Sequence, residues 1–263
     1  MSDTRSGRFY FLGERALFLG TGLPASVHAH HALQICIPLS GTIRLRPGKG
    51  APWRSYAGAM IPSNQPHESD VAVPRLASLW LEPRGTAGSS MMLGGKASRI
   101  VPIAPSQLEQ IVPGLIDCWE RGADAQQAAT ILEEVVRILG RGRRSVPAID
   151  PRMARVLEVL AATPDRRLPL AEIAASVSLS PSRVAHLFSE TVGIPPRRYL
   201  LWLRLRDAVC ELTAGASITD AAHAAGFADA PHLDRTFRRM LGFTPSAALR
   251  AGKFVQDAPS RRC

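Results

Sequence analysis

Three histidines and a glutamine in the first third of the chain carry side chains that could bind a metal ion or a polar ligand. In chain order they are His28, His30, Gln34 and His67. Imidazole nitrogen is a preferred ligand of divalent transition metals, and histidines on adjacent strands can share one ion. A buried histidine is also often a hydrogen-bonded core residue. The residue types therefore predict a polar site here and leave the presence of a metal open.

The spacing of these residues resembles the sequence motifs of the cupins, a family of small β-barrels. The first motif is matched by Gly22-x5-His28-x-His30-x3-Gln34-x6-Gly41, and part of the second by Pro62-Ser-Asn-Gln-Pro-His67. In metal-binding cupins the four matching side chains converge inside the barrel, with a glutamate where this chain has Gln34. The resemblance therefore implies an effector-binding cavity, with or without a divalent transition metal.

Three interpretations of the histidine cluster stay open. Its members are hydrogen-bonded in a ligand cavity without a metal, or they bind a metal that senses or helps hold the effector, or they catalyse a cupin reaction. The third is disfavoured because Gln34 replaces an anionic metal ligand, and we expect that the protein is not an enzyme. His31 should point away from His30, because successive side chains alternate along a strand.

Residues 9–103 are rich in proline, glycine and short apolar runs, a pattern typical of an antiparallel β-domain. The runs are Leu33–Leu39, Thr42–Leu45, Met60–Ile61 and Leu76–Leu81. Small barrels enclose mostly apolar cavities with a few polar groups. The aromatic residues expected to line such a cavity are Trp53, Tyr56 and Trp80.

Residues 105–140 change to helical periodicity and predict two helices, the first with Ser106 as its N-cap. The second helix ends at Gly140 and carries an apolar stripe formed by Ile131, Val135 and Leu139. This stripe could support a homodimer, or it could pack on the barrel of its own chain. The basic segment that follows, residues 141–150, is typical of an interdomain linker.

The C-terminal part contains an internal repeat with an offset of 49 residues. The equivalent pairs are Ser180 and Asp229, Val184 and Leu233, Phe188 and Phe237, Gly193 and Gly242, and Pro196 and Pro245. Each copy predicts a short helix, a tight turn and a second helix that begins after a capping side chain and stops at a glycine. The repeat thus predicts two helix-turn-helix units.

The predicted helices of the first unit are Leu170–Ser176 and the segment from Pro181 to Gly193. Those of the second unit are Ile218–Ala225 and the segment between Asp229 and Gly242. An amphipathic helix, Arg197–Leu212, connects them and spans roughly 24 Å at 1.5 Å per residue. A rod of this length suits two helices that enter successive turns of a DNA major groove.

The second unit is similar to the signature of the AraC/XylS family of transcription regulators. The matching residues are Gly226-Phe227-Ala-Asp229-Ala-Pro-His232-Leu233-Asp-Arg235-Thr-Phe237-Arg238, followed by Gly242-Phe-Thr244-Pro245. The resemblance covers about residues 151–250. It implies a regulator that binds double-stranded DNA and recruits RNA polymerase, with a sensing domain in front of the DNA-binding domain.

Carried over by position, the resemblance implies that bases are contacted by Ser182, Ala185, His186, Ala230, Pro231 and Arg235. Alanine and proline offer no side-chain hydrogen bond, so we expect His186 and Arg235 to carry most of the polar base recognition. Two further residues, Arg183 and His232, lie on the same exposed faces. Phosphate contacts are expected from Arg197, Arg198, Arg238 and Arg239. The aromatic residue usual after the Thr-Pro pair is replaced by Ala248.

Charge and composition agree with this function. The net charge is +10, and residues 151–263 carry 16 Lys/Arg against 10 Asp/Glu, as phosphate binding requires. The four cysteines form no metal-binding or disulfide pattern and are expected to be reduced thiols. No run of about 18 apolar residues predicts a membrane span, and the polar residues Met1 to Arg8 lack the apolar middle of a secretion signal, so we expect a cytoplasmic protein.

Together these patterns predict an α+β protein. Its expected parts are a cupin-like antiparallel β-barrel (1–104), a helical segment that could support dimerisation (105–140), a linker (141–150), an all-α domain with two helix-turn-helix units (151–254) and a flexible tail (255–263). The expected function is sequence-specific transcription regulation in response to a small-molecule effector. The alternatives are a metal-dependent cupin enzyme with a DNA-targeting domain and an architectural DNA-binding protein.

Overall fold

A computed structural model describes residues 7–70, 73, 75–91, 99–141, 149–163 and 170–256. The chain divides into two compact units. Unit 1 comprises Met1–Val146 and Asp234–Cys263, and unit 2 comprises Pro147–Leu233. Most of the predicted linker, residues 142–148, and most of the predicted tail, residues 257–263, lie outside the described residues. The predicted domain boundaries stay predictions.

Unit 1 is built on two β-sheets. Its strands are β1 (Gly7–Leu12), β2 (Arg15–Gly20), β3 (Ala25–His28), β4 (Leu33–Pro38), β5 (Ile43–Arg46), β6 (Arg54–Tyr56), β7 (Ala59–Ile61), β8 (His67–Asp70), β9 (Leu76–Leu81), β10 (Val101–Pro102) and β11 (Gly252–Gln256). The larger sheet has the order β10-β7-β4-β9-β2-β1-β11, and the smaller one β3-β8-β5-β6. The closed barrel expected from the cupin resemblance is not confirmed, because the described strands form two separate sheets.

Successive side chains along a strand of the larger sheet point to opposite faces, and each face contributes to a different hydrophobic core. On one face, Tyr10, Leu17 and Ile35 are fully buried against helices. On the opposite face, Cys36, Ala59 and Ile61 pack with residues of the smaller sheet. The antiparallel β-domain predicted from the apolar runs therefore forms, and its larger sheet is the middle layer between the smaller sheet and a helical layer.

The helical layer contains α2 and α3. The helices of this region are α1 (Thr86–Met91), α2 (Pro105–Arg121) and α3 (Ala125–Gly140). The prediction of Ser106 as N-cap is wrong: Ala104 precedes the helix and Pro105 occupies its first turn, where a missing N–H does no harm. On α3, Val135 and Leu139 are fully buried in the core of their own unit. The apolar stripe therefore packs on its own chain, as one of its two interpretations required.

The remaining helices follow the predicted repeat. They are α4 (Pro151–Ala162), α5 (Leu170–Ser176), α6 (Pro181–Val192), α7 (Pro196–Thr213), α8 (Ile218–Ala224), α9 (Ala230–Leu241) and α10 (Pro245–Ala251). The five predicted helices of the repeat and its connection agree with α5 to α9 within one residue at each end. Among the described residues, no helix is both long and apolar enough to cross a bilayer.

The segment after α10 departs from the prediction. The sequence after Pro151 suggested helices alone, followed by a flexible tail from residue 255. Instead, Gly252–Gln256 forms β11 and pairs in parallel with β1, with Arg8 opposite Lys253 and Tyr10 opposite Val255. An edge strand offers unpaired backbone groups to any extended segment that reaches it. The C-terminal residues are therefore part of the larger sheet.

Two of the predicted thiols lie in the interior of unit 1. Cys36 and Cys118 are free and buried. Burial raises the pKa of the Cys36 thiol to about 12 and that of Cys118 to about 11, so both stay protonated near neutral pH. The expectation of reduced thiols is therefore confirmed at Cys36 and Cys118.

Candidate functional site

The second helices of the two repeat units, α6 and α9, are built in the same way. Ser180 Oγ accepts a hydrogen bond from Arg183 N at 3.3 Å, and Asp229 Oδ1 accepts one from His232 N at 2.6 Å. These contacts satisfy N–H groups that have no partner within the helix. Both predicted N-caps are thus confirmed.

Both helices also end in the same way. The glycines that follow them, Gly193 and Gly242, have φ values of 84° and 82°. This left-handed conformation lets the chain leave a helix and is most accessible to glycine. The apolar members of the repeat, such as Phe188 and Phe237, are buried. The sequence repeat is therefore a repeat of structure, with a polar face left on each helix.

On α6 the predicted DNA-contacting residues Ser182, Arg183 and His186 are all exposed. His186 Nε2 lies 3.4 Å from Glu190 Oε1, and both side chains are well exposed to solvent. A surface pair of this kind contributes little to the free energy of folding, and His186 can readily exchange Glu190 for another partner. The face opposite the buried stripe of α6 is therefore accessible to a ligand.

On α9 the exposed predicted residues are Pro231, Arg235, Arg238 and Arg239. Arg238 donates to Asp234 at 2.9 Å, whereas the side chains of Arg235 and Arg239 have no hydrogen bond or ion pair with any described residue. His232 and Ala230 are half-buried, and the His232 ring packs edge to face on Phe227 with centroids 5.2 Å apart. Arg235 is thus the polar base-contacting candidate with the freest side chain on this helix.

The predicted phosphate-contacting residues outside these helices, Arg197 and Arg198, lie in the first turn of α7 and are exposed. Ala248, which stands where the family usually has an aromatic residue, is buried in α10. The structure therefore keeps α10 packed despite the smaller side chain.

The four residues of the predicted polar site meet inside unit 1. His28, His30 and His67 are buried, and their possible ligand atoms all lie within 4.8 Å of one another. Gln34 Oε1 lies 2.9 Å from His30 Nε2 and 3.0 Å from His67 Nε2. The strands β3, β4 and β8 supply three of the four residues, and His30 lies in the connection between β3 and β4.

Backbone carbonyl groups set the tautomer of all three imidazoles. Nδ1 of His28, His30 and His67 lies 2.7, 2.9 and 2.9 Å from the carbonyl oxygens of Ser26, Ala32 and Gln65. A carbonyl oxygen only accepts hydrogen bonds, so each Nδ1 carries the proton and donates. Each neutral ring then presents the lone pair of Nε2, which is the form that binds a metal.

Burial keeps the three rings neutral. It lowers the pKa of His28 to about 3, with a further contribution from the neighbouring His30 and an opposing one from the hydrogen bond to Ser26. Burial also lowers the pKa of His30, and that of His67 well below its usual value. Three neutral nitrogen donors and an amide oxygen fit a divalent transition ion, with a carbonyl group behind each histidine.

His31 belongs to a different contact. Its Nε2 lies 2.9 Å from Glu82 Oε1, and both side chains are buried. The His31 ring therefore pairs with Glu82 rather than with the cluster of His30, although neither histidine lies on a strand and strand alternation does not explain the difference.

A cavity of about 40 Å³ lies beside the histidine cluster, between the two sheets of unit 1. His28 and Gln34 line it together with aromatic and small polar side chains, among them Phe9, Phe18, Ser78 and Trp80. Of the three aromatic residues predicted to line a cavity, Trp80 does so. Trp53 instead lies under the guanidinium groups of Arg44 and Arg46, at 5.3 and 4.6 Å from its ring centroid.

Comparison with known proteins shows what the C-terminal part of the chain resembles. A family model described as a helix-turn-helix domain matches residues 152–251. A putative AraC-like transcription regulator of Streptomyces lividans is 34% identical over 97 residues, which is 36% of this chain and 32% of that protein. The uncharacterized HTH-type transcriptional regulator YidL of Escherichia coli is 30% identical over 105 residues, 38% of this chain and 35% of that protein. Residues 152–251 are therefore similar to the helix-turn-helix domains of AraC-like transcription regulators.

The chain spans about a third of the length of these two relatives. Solved structures extend the likeness in fold to nearly the whole chain. An apo variant of ToxT from Vibrio cholerae has a TM-score of 0.65 at 10% identity, covering 91% of this chain and 98% of that one. ToxT bound to an unsaturated fatty acid has a TM-score of 0.56 at 11% identity, covering 94% of each chain. At this identity the likeness shows a common fold.

Sequence patterns missed one contact between distant segments of this chain. The amide and the hydroxyl of Ser26 both donate to the carbonyl oxygen of Gly242, at 3.1 and 3.0 Å. Two further residues from the end of the second repeat unit, Leu241 and Phe243, line the cavity. Ser26 and Gly242 are 216 positions apart, and no periodic pattern links them. The sequence predicted Gly242 only as the residue that ends α9, and it gave no sign of the contact with Ser26.

Proposed function

We propose that this chain is a transcription regulator that binds specific double-stranded DNA sites through α6 and α9. The observation that carries the proposal is the structural repeat: two capped helices of equal length, each with a buried apolar stripe and an exposed polar face. Such helices enter the major groove with residues near their N-terminal ends against the bases. In this role Arg235 and His186 contact bases, whereas Arg197, Arg198, Arg238 and Arg239 contact phosphate.

The proposal includes a small-molecule effector bound in unit 1. Its support is the cavity between the sheets, which combines aromatic walls with a few polar groups, and the fatty acid bound by ToxT, which shares the fold. The cavity holds little more than a few water molecules, so a larger ligand has to displace part of its lining. Leu241 and Phe243 are lining residues beside the end of α9, and their displacement would couple effector binding to this helix.

Homodimer formation through the helical segment 105–140 and recruitment of RNA polymerase are further parts of the proposal, and the second rests on the resemblance to AraC-like regulators. The buried side chains of α3, such as Val135 and Leu139, are occupied by the core of their own unit. A dimer would therefore use exposed surface of the helical layer rather than this stripe.

The test is DNA binding by the full-length protein to segments of the intergenic region beside its own gene. The assay is run at about 150 mM salt with competitor DNA, because phosphate contacts dominate at low salt. We expect nanomolar binding to one segment and at least about a thousandfold weaker binding to a shuffled sequence of the same composition. Equal, weak binding to all segments would reject the specific regulator in favour of an architectural DNA-binding protein.

The same assay examines the effector when an unsaturated fatty acid is added as the probe. A change of about fivefold or more in the apparent Kd for the specific segment, with no change for the shuffled one, supports a ligand-coupled regulator of this class. An unchanged Kd at saturating probe rejects a fatty acid as the effector. The DNA-binding part of the proposal is decided independently by the comparison of segments.

A further inference from the structure

We propose that the effector of unit 1 is an uncharged aromatic molecule with a hydroxyl or ring N–H group, such as a phenol or an indole. This group donates a hydrogen bond to Nε2 of His28 in the cavity between the two sheets. The inference rests on the effector part of the proposed function and adds the chemical class of the ligand. The observations that carry it are the hydrogen-bonding state of the polar lining, the absence of charge from that lining, and its aromatic walls.

His28 presents a hydrogen-bond acceptor to the cavity. Its Nδ1 lies 2.7 Å from Ser26 O, and because a carbonyl oxygen only accepts, Nδ1 carries the proton of the neutral ring. The Nε2 atom is then an acceptor, and no described residue donates a hydrogen bond to it. His28 is only 6% exposed, and a buried acceptor without a donor is destabilising. A ligand that brings a donor removes this cost.

Ser78 is a second polar group in the lining. It is buried on β9, and among the described residues its hydroxyl contacts only Cys36 Sγ, at the long distance of 4.0 Å. A serine hydroxyl can either donate or accept, so Ser78 can bind a hydroxyl or an N–H group of a ligand. The requirement for a donor therefore comes from His28, and Ser78 tolerates it.

The lining carries no charge that could neutralise an ionised ligand. None of the described residues that line the cavity is a lysine, an arginine, an aspartate or a glutamate. A carboxylate only accepts hydrogen bonds, so it would face the lone pair of His28 Nε2 without a donor or a cation between them. Burial of an unpaired charge costs far more free energy than burial of a neutral polar group. The cavity therefore favours an uncharged ligand over the head group of a fatty acid.

The walls of the cavity favour an aromatic ring. The rings of Phe9 and Phe18 lie with their centroids 4.4 Å apart, and Trp80 and Phe243 complete the aromatic part of the lining. Aromatic rings pack on one another in offset or tilted arrangements that add to the burial of apolar surface. A sugar fits less well, because most of its hydroxyl groups would find no partner among these walls.

The cavity has to open to admit such a ring. It measures about 40 Å³, whereas an apolar cavity that binds benzene measures about 150 Å³. Leu23, Leu241 and Phe243 are half-buried lining residues and can move towards solvent. The Phe243 ring packs edge to face on Phe237 of α9, with centroids 5.8 Å apart. Entry of the ligand therefore changes the packing at the end of α9.

Isothermal titration calorimetry with the full-length protein compares three probes that share one ring. In neutral buffer p-cresol is an uncharged donor, toluene is uncharged without a donor, and p-toluate is an anion. We expect p-cresol to bind at least about fivefold more tightly than toluene, which leaves the His28 acceptor unpaired, and at least about a hundredfold more tightly than p-toluate. Equal or tighter binding of p-toluate or of an unsaturated fatty acid, or no binding of p-cresol, would overturn the proposal.

The variant His28→Ala tests the acceptor through selectivity. It should bring the ratio of the Kd values for toluene and p-cresol down to about one, whatever its effect on both affinities. The matched control is His223→Ala, which removes an exposed histidine on α8 and should leave the ratio at its original value. An unchanged ratio in His28→Ala would show that the donor of p-cresol does not bind His28, and the proposal would be wrong.

The variant Phe243→Ala tests the location of the ligand even if His28→Ala does not fold. Removal of this ring enlarges the cavity, so p-cresol and toluene should both bind about tenfold or more tightly. Leu249→Ala is the control, since it shortens a half-buried apolar side chain of α10 outside the cavity lining and should leave both affinities unchanged. Unchanged affinities in Phe243→Ala would place the probes elsewhere and overturn the proposal.

These titrations contain no DNA, so their failure is distinct from a failure of DNA recognition. If an unsaturated fatty acid binds and p-cresol does not, the proposed ligand class is wrong, whereas the effector part of the proposed function stands.

Discussion

At the scale of residues, the side chains that the structure leaves accessible differ from the full set that the AraC resemblance suggested. Arg235 is exposed and has no hydrogen bond or ion pair with a described residue, whereas Arg238 is paired with Asp234 and His232 is packed on Phe227. A guanidinium group can donate two parallel hydrogen bonds to a guanine edge, and alanine or proline at neighbouring positions can only make apolar contacts. Polar recognition by α9 should therefore depend mainly on Arg235.

Arg235→Ala should weaken binding to the specific DNA segment by about 1–3 kcal/mol, roughly five- to 150-fold, and relax the preference at one base pair. The control is Arg54→Ala, which removes the same charge from an exposed position on β6 and should leave specific binding unchanged. Fluorescence anisotropy with single-base-pair variants of the segment measures both effects. A uniform loss over all sequences would mean that Arg235 contacts phosphate instead.

At the scale of elements, the turns of the two helix-turn-helix units each contain a residue in the left-handed conformation, but the residue type differs. Gly226 has φ 76° in the second unit, whereas Ser178 has φ 54° in the first. A left-handed conformation is accessible to glycine but unfavourable for a residue with a Cβ atom. The turn of the first helix-turn-helix unit is therefore strained, whereas the turn of the second is not.

Ser178→Gly should raise the free energy of unfolding by about 1 kcal/mol, because the strain at this turn disappears. The control is Ala175→Gly at an exposed position of α5, where a helical residue loses its preference and the same free energy should fall by about 0.5–1 kcal/mol. Urea unfolding monitored by circular dichroism gives both values. Destabilisation by both substitutions to a similar extent would show that the Ser178 turn is not strained.

At the scale of the whole molecule, the C-terminal residues join the fold of the N-terminal ones. β11 pairs in parallel with β1, and Val255 packs against the main core of unit 1. This pairing satisfies backbone groups at the edge of the larger sheet and buries apolar surface. β11 therefore contributes to the stability of unit 1.

Val255→Asp should lower the free energy of unfolding by about 1–2 kcal/mol, because a carboxylate replaces a half-buried apolar side chain in β11. Lys253→Asp is the matched control, since the same strand carries the same new group at an exposed position. Its effect should stay within about 0.5 kcal/mol. Equal effects of the two substitutions in urea unfolding would mean that β11 is not packed on the core in solution.

The sequence by itself determined the local structure of this protein to a large extent. Spacing of apolar residues, capping side chains such as Asp229 and stop signals such as Gly193 act within a few residues, so α5 to α9 were predictable almost to the residue. The spacing of the motifs also correctly predicted that His28, His30, Gln34 and His67 lie close together. The prediction of Ser106 as N-cap failed because Pro105 occupies the first turn of α2.

Tertiary structure alone decided the contacts between distant segments. No local pattern shows that Gly252–Gln256 pairs with β1, since pairing with an edge strand depends on where the rest of the chain brings it. Packing decides three further features in the same way. They are the hydrogen bonds between Ser26 and Gly242, the formation of two sheets in place of a closed barrel, and the orientation of the Gln34 amide. These contacts connect the polar site to the end of α9, because hydrogen bonds and burial act between neighbours in space rather than in sequence.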